Sequence, residues 1–293
     1  MATGVPMPPG KIMTRKKTSR LATRATRRQR LAKGRPHAGP GREGGVAADG
    51  SVGSRQLAAE ERELVDAPGS PALFRLMAWL SPAYPVGAFS YSSGIEWAVA
   101  AGDIRDAQQL QRWVAVTVGQ GGGFCDAVFF SQAYRATRQD DHALLRATAE
   151  VAGAFAPSKE RFLETTGQGR AFLDATCAAW PCAALEHLRA LWHGPVAYPV
   201  AVAVASAGHG VPLAPALNAY LQAMCANLIS AGIRLVPLGQ TSGQRALAAL
   251  ESVVAATAER AVRTPLDAVG TAAFRADLAS MHHETQYTRL FRS

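Results

Sequence analysis

The sequence predicts an all-α protein: a single helical-bundle domain of about eight to ten helices over residues 70–293, preceded by a disordered basic segment over residues 1–69. Three observations support this fold class. Apolar residues recur at helical spacing after residue 70. No two segments alternate as a pair of strands would. The first 69 residues are rich in Arg, Gly, Pro, Ala and Ser and cannot bury enough apolar area to offset the entropy of ordering.

Each predicted helix rests on apolar side chains at positions i, i+3, i+4 and i+7. One such stripe comprises Leu110, Trp113, Val114 and Thr117. Others follow Pro215 and Ser242, the latter continuing from Ala246 to Ala258. The first helix should begin at Ser70, because a capping hydroxyl followed by proline is a helix-start signal. Glycine and proline breaks separate these segments, which indicates short connecting loops.

One segment has the alternation of a strand. Val200, Val202 and Val204 alternate with alanine. Strands rarely use alanine along a whole face, and no second alternating run is available for pairing. We therefore predict a tightly packed helix with Pro199 in its first turn.

The positive charge of the chain is confined to its first residues. The formal net charge is +9, of which residues 1–50 carry +10 and residues 51–293 carry −1. The high isoelectric point therefore describes a tail and not the surface of the helical body. The tail has no interleaved aromatic residues and no amphipathic face, which favours a solvated extension over a transit peptide or a nucleic-acid-binding arm.

Cysteine content and hydropathy indicate the compartment. The four cysteines form no CxxC pair and are too few for a disulfide framework. No uninterrupted apolar run of about 18 residues is present to span a bilayer. The sequence therefore predicts a reduced, cytoplasmic protein.

The usual catalytic motifs are missing. The glycine-rich strings GQGGG at 119–123 and GQTSGQ at 239–244 lack the lysine of a phosphate-binding loop. We find no HExxH, no GxSxG and no cluster of Asp or Glu spaced on one helix face. Two groups of potential metal ligands match no common motif: they are Cys177, Cys182, His187 and His193, and the adjacent pair His282 and His283. The sequence therefore predicts that the protein is not an enzyme. It indicates no catalytic, cofactor-binding or metal-binding residue.

Two segments have the composition of a binding surface. The first, LSPAYPVGAFSYSSGIEWAVAA at residues 80–101, carries a polar-aromatic strip from Phe89 to Ser93 ahead of Glu96. Aromatic side chains beside hydroxyls are typical of partner-binding surfaces, although a rigid loop that closes the bundle would also fit. The second, MHHETQYTRLFRS at residues 281–293, should place His283, Tyr287 and Leu290 on one stripe of a helix. Such a stripe either packs on its own core or binds another protein.

These strings resemble the UreF family of urease accessory proteins. The family pattern PVGAFSYSxGLE is similar to Pro85–Glu96, the pattern QxDGQ to Gln240–Gln244, and the pattern MxHExxYSRLFxS to Met281–Ser293. The family has leucine, aspartate and serine at the positions of Ile95, Ser242 and Thr288. The resemblance covers about Pro71 to Ser293 and does not include the basic extension.

The resemblance implies an all-α homodimer that binds the accessory protein UreD (also called UreH), recruits the GTPase UreG and promotes nickel insertion into the urease apoprotein. It implies neither a cofactor nor a membrane or nucleic-acid partner. The expected partner-binding residues are Phe89, Ser90, Tyr91, Glu96, Gln240, Gly243, Gln244, His283, Glu284, Tyr287, Arg289, Leu290 and Phe291. We also expect the terminal segment to be mobile until a partner binds it. The alternative function is an Arg-rich nucleic-acid-binding protein with a helical dimerisation body.

Overall fold

A computed structural model describes residues 70–293, and the basic segment over residues 1–69 lies outside the described residues. The helices are α1 (Ser70–Trp79), α2 (Ile95–Ala100), α3 (Ala107–Gln120), α4 (Gly122–Arg138), α5 (His142–Ala154), α6 (Lys159–Ala179), α7 (Ala183–Leu191), α8 (Tyr198–Gly208), α9 (Leu213–Leu235), α10 (Gln240–Ala248), α11 (Glu251–Arg263) and α12 (Phe274–His283). Short 3₁₀ turns occur at Ala88–Ser90 and Leu266–Ala268. No strand occurs in residues 70–293, so the all-α prediction is confirmed, with twelve α-helices instead of eight to ten.

Helix α8 lies at the centre of the bundle. Every residue from Pro199 to Ala207 is buried, and the helix packs against α4, α6 and α7. Alanine and valine are small enough to let neighbouring helices approach closely. The predicted helix with Pro199 in its first turn is confirmed. At Gly169 of α6, an added Cβ would lie 2.0 Å from the carbonyl oxygen of Val196, so only glycine fits where α6 crosses the segment before α8.

Polar side chains cap the N-termini of several helices. Asp106 accepts a hydrogen bond from the amide of Gln109 at 2.8 Å, which caps α3. Asp141 caps α5 through the amide of Leu144 at 2.9 Å. Each cap satisfies a backbone donor that has no partner within its helix and contributes about 1 kcal/mol.

The predicted helix start at Ser70 is confirmed, but one predicted stripe forms two helices. The stripe that follows Ser242 does not continue as one helix, because α10 ends at Ala248 and α11 begins at Glu251. Between them, the amide of Leu250 bonds the carbonyl of Leu247 at 3.0 Å in a tight turn. The Leu250 side chain is buried in this turn. Leu250 fits the helical period of the sequence but lies between two helices.

Helix α1 is held to the bundle by Trp79, which is completely buried. Its ring packs edge-on against Phe172 at 6.1 Å and Trp180 at 6.2 Å between centroids. Edge-to-face pairs of this kind add about 0.5–1.5 kcal/mol beyond the burial of their area. Within the part of the chain that the structure describes, no helix combines the length and apolarity needed to cross a membrane.

Candidate functional site

The chain after α12 does not continue as a helix. Helix α12 ends at His283, and the remaining ten residues fold as turns against α2 and the loop before it. The predicted helical stripe of His283, Tyr287 and Leu290 is therefore wrong. The side chain of Glu284 accepts a hydrogen bond at 2.7 Å from the amide of Lys159, the first residue of α6. His283 turns inward instead of following the expected stripe.

Glu96 of α2 binds the terminal segment through three contacts. Its carboxylate accepts hydrogen bonds from the amides of Leu290 at 2.6 Å and Phe291 at 2.9 Å. The Nε2 atom of His283 lies 3.1 Å from the same carboxylate. Glu96 is only 7 % exposed, so these groups replace the water that an ionised carboxylate otherwise requires.

His283 is fully buried between two carboxylates. Its Nδ1 atom lies 2.6 Å from Glu160 of α6, opposite the contact of its Nε2 with Glu96. Arg289 donates to the other oxygen of Glu160 at 2.7 Å. Carboxylates accept hydrogen bonds, and a neutral imidazole has one N–H, so the second contact needs a further proton on the ring or on a carboxyl. With that proton on the ring, two negative and two positive groups balance.

The last residues pair with the polar-aromatic loop. The amide of Arg292 donates to the carbonyl of Ser90 at 2.8 Å, and the amide of Ser92 donates to the carbonyl of Ser293 at 2.6 Å. The Ser293 hydroxyl donates to Glu164 of α6 at 2.6 Å. We call the set of buried groups that bind the terminal segment the C-terminal anchor. It comprises Glu96, Glu160, Glu164, His283 and Ser293.

The approach of this loop to α12 requires a glycine. Gly94 has φ of +83°, and an added Cβ would lie 2.6 Å from the backbone nitrogen of Ser280. A larger residue would be strained by the backbone conformation and would separate the loop from α12. Gly94 therefore sets the distance at which Glu96 reaches the terminal segment.

The anchor leaves three large apolar side chains in solvent. Phe89 is 67 % exposed, Leu290 is 66 % exposed and Tyr287 is entirely exposed. We call these residues the exposed apolar set. The guanidinium of Arg234 in α9 lies 3.7 Å from the ring centroid of Phe89 and 4.3 Å from that of the buried Phe291. These cation–π contacts join α9 to the loop and to the terminal segment.

The other predicted site residues have different positions. Tyr91 is partly buried beside a cavity, whereas Gln240 and Gln244 are exposed at the start of α10. Gly243 is buried, and an added Cβ there would lie 2.2 Å from Ile233, so it permits α10 to pack on α9. Of the predicted residues, Glu96 and Ser90 lie against the segment from His283 to the C-terminus. The three from α10 lie on a helix that packs against α9 and α3.

A cavity of about 110 Å³ lies beside the anchor. Its polar lining includes Asp126, Arg161, Glu164 and Tyr220. Arg161 contacts Glu164 at 2.5 Å and donates to Ser93 at 2.8 Å. The cavity thus shares Glu164 with the anchor, so that one buried carboxylate faces both regions.

Burial changes the acid–base properties of the cavity lining. Desolvation raises the pKa of Asp126 to about 6, although Arg161 and the hydroxyl of Tyr220, 3.0 Å away, act in the opposite direction. Burial also raises the pKa of Cys125 to about 12, which makes its thiol a poor nucleophile and metal ligand at neutral pH. Within residues 70–293, no group of three or more His, Cys, Asp or Glu side chains has the geometry of a metal site.

Sequence reasoning missed most of the anchor. Glu160 and Glu164 lie four residues apart on one buried face of α6, which corrects the statement that no acidic residues are spaced on one helix face. This spacing in the string KERFLETT was the available signal. The partners of these glutamates in the terminal segment, His283 and Ser293, are more than 100 residues away in the chain, and local pattern does not reveal them.

Comparison with known proteins identifies relatives of this chain. The UreF family profile matches residues 104–251. A urease accessory protein UreF from Bradyrhizobium diazoefficiens is 61 % identical over 222 residues, which are 76 % of this chain and 92 % of that protein. The UreF proteins of Rhodopseudomonas palustris strain HaA2 and Bradyrhizobium sp. strain ORS 278 are each 59 % identical over 76 % of this chain, covering 94 % and 92 % of those proteins.

The fold and the anchor define an all-helical protein that presents apolar side chains on a segment bound by buried carboxylates. The matched relatives cover most of the described bundle and nearly all of their own length. The chain belongs to the UreF family.

Proposed function

We propose that this chain is a cytoplasmic, non-enzymatic accessory protein of urease maturation. With UreD (UreH) and the GTPase UreG it assembles on the urease apoprotein and promotes nickel insertion, coupling GTP turnover to metal delivery. The names of its relatives support the urease role. GTP hydrolysis belongs to UreG in this proposal, because neither glycine-rich string of this chain carries the lysine of a phosphate-binding loop.

The observation that carries the proposal is the exposure of Tyr287 and Leu290 on an otherwise anchored segment. Large apolar side chains are expensive to leave in water, and aromatic residues dominate the binding energy of protein interfaces. The amide of Leu290 is bonded to Glu96, which fixes the backbone from which its side chain projects. A preorganised segment loses less entropy on binding than a mobile one.

The predicted partner-binding residues then divide into two roles. Phe89, Tyr287 and Leu290 contact the partner directly, and UreD is the partner that we assign to them. Glu96 and His283 are buried and act by positioning the segment. The assignment of UreG to the same region, and of a homodimer to the chain, rests on the family resemblance.

Capture of UreD by the full-length chain tests this proposal. The double substitution Tyr287→Ala, Leu290→Ala removes two exposed side chains and leaves the anchor intact. Each of the two side chains should contribute about 1–2 kcal/mol to binding, so their loss should weaken capture by more than about tenfold. The matched control is Phe74→Ala, Met77→Ala, which removes two exposed apolar side chains from α1 (66 % and 68 % exposed).

We expect the control to bind UreD as the parent does. Both variants should have the melting temperature of the parent. Urease activation in cells should fall with the capture defect. Unchanged capture by the Tyr287, Leu290 variant, or an equal loss in the control, would contradict the assignment of this surface.

A further inference from the structure

Two histidines that are distant in sequence meet on the surface of the bundle. His142 begins α5 and His187 lies in α7, 45 residues later. The Nε2 atom of His187 is 2.9 Å from the Nδ1 atom of His142, and the ring centroids are 4.2 Å apart. His142 is exposed and His187 is partly exposed, so ions in solvent have access to both rings.

The distance between the two nitrogens matches that of two imidazoles on one metal ion. Metal–imidazole bonds measure about 2.0–2.1 Å, so two such nitrogens lie roughly 2.9 Å apart at a right angle and roughly 3.4 Å apart at the tetrahedral angle. The observed 2.9 Å corresponds to the right angle. Square-planar and octahedral ions use this angle, and imidazole suits copper and nickel in such geometries.

We propose that His142 and His187 form a chelating site for a divalent first-row transition ion, with Cu²⁺ and Ni²⁺ preferred over tetrahedral Zn²⁺. Without an ion, one ring donates its N–H to the other. Because a neutral imidazole carries its hydrogen on either nitrogen, a change of tautomer frees both facing lone pairs for the ion. Water completes the coordination.

The ligand count defines the kind of site. Within residues 70–293, no third His, Cys, Asp or Glu side chain completes a cluster, and the neighbouring candidates Cys182 and His193 belong to none. Two protein ligands give an exchangeable site and not a closed structural one, which has four. The ion would join α5 to α7, so it binds the folded chain in preference to the unfolded one and should stabilise it.

The experiment titrates the untagged, full-length protein with Cu²⁺, Ni²⁺, Zn²⁺ and Mg²⁺ by calorimetry and by thermal melts. His142→Ala and His187→Ala each remove one of the two ligands, and His193→Ala, six residues beyond His187, is the matched control on an exposed histidine. We expect either ligand substitution to weaken Ni²⁺ and Cu²⁺ binding by at least about tenfold. The control should bind both ions as the parent does, and Mg²⁺ should not bind at this pair.

Two further measurements make the result specific. The metal-free melts of all variants should coincide, which shows that the substitutions act on binding and not on folding. The paramagnetic resonance spectrum of the Cu²⁺ complex should show coupling to two nitrogens, reduced to one in either ligand variant. Equal Ni²⁺ and Cu²⁺ affinity in the parent and both ligand variants would overturn the proposal, as would an equal loss in His193→Ala.

Discussion

Helix α8 and the C-terminal anchor are both buried, but different physical forces hold them. The residues of α8 from Pro199 to Ala207 are apolar except for one serine, and close packing stabilises them. The anchor is built on three carboxylates, a histidine and the backbone amides of the terminal segment. Apolar packing tolerates any neighbour of suitable shape, whereas a buried carboxylate requires specific donors at specific positions.

This difference has a consequence for function. A segment held mainly by apolar side chains would have to turn them inward, as α8 does. The terminal segment is held through backbone amides, so Tyr287 and Leu290 remain in solvent. The anchor therefore orders a segment without consuming the side chains available for binding another protein.

The largest effect should follow from placing a carboxylate where the structure has no donors for it. Val202→Glu buries an unpaired charge in α8 and should cost more than about 4 kcal/mol, enough to prevent folding of a marginal chain. Val116→Glu makes the same change at a position of α3 that is 42 % exposed and should cost less than about 0.5 kcal/mol. Urea unfolding of soluble protein compares the two, and a folded Val202→Glu variant of parental stability would contradict the account of α8.

Removing the central carboxylate of the anchor should have the next largest effect. Glu96→Gln retains the shape but points an amide N–H at donors, which leaves one or two buried groups unsatisfied at about 1–3 kcal/mol each. We expect a loss of about 3 kcal/mol in the free energy of unfolding. Glu150→Gln, on the exposed side of α5, is the matched control and should change stability little. Equal stability of the two variants would show that Glu96 is not a structural partner of the terminal segment.

Helix α8 and the anchor also differ in how far their structure could be predicted from the sequence. Helix α8 was predicted because Pro199 and the Ala/Val composition are local signals, and those signals agree with the packing. Glu96 and His283 were predicted as partner-binding residues, but their burial beside Glu160 was not predicted. The three residues come from distant segments, and a glutamate gives no local sign that it will be buried. The terminal motif was recognised, but its helical stripe was wrong because long-range bonds to carboxylates override local periodicity.

Asp126 is a partly buried carboxylate outside the anchor, so it shows the effect of desolvation without the anchor's hydrogen bonds. Its pKa is raised to about 6, so the folded state binds its proton more tightly than the unfolded state does, where the value is 3.8. The stability associated with this proton is complete below pH 3.8 and is lost as the pH rises through 6. The free energy of unfolding of Asp126→Asn, relative to that of the parent, should therefore rise by up to about 3 kcal/mol between pH 4 and pH 7.5. Part of the carboxylate faces the cavity, which reduces the gain; a difference independent of pH would contradict the assignment.

The smallest effect should come from Arg289, a partly exposed partner of the anchor. Arg289 pairs with Glu160 at 2.7 Å, but its side chain is 39 % exposed and partly screened by water. Arg289→Ala should cost about 1 kcal/mol, and Arg263→Ala, whose pair with Glu259 is 68 % exposed on both sides, should cost less. Thermal melts of both variants measure the stability that each loses. A larger loss of stability in Arg263→Ala than in Arg289→Ala would contradict this prediction.

The central claim is that the fold itself holds the terminal segment through Glu96. Hydrogen exchange at the amides of Leu290 and Phe291 tests it most directly, measured in the isolated chain and after addition of UreD. The account predicts slow exchange at both amides in the isolated parent, and exchange faster by more than about tenfold in Glu96→Gln, because a lost hydrogen bond of about 1.4 kcal/mol or more changes the opening equilibrium by that factor. Exchange at the rate of an unfolded chain until UreD is added would contradict it, because the partner and not the fold would then supply the order.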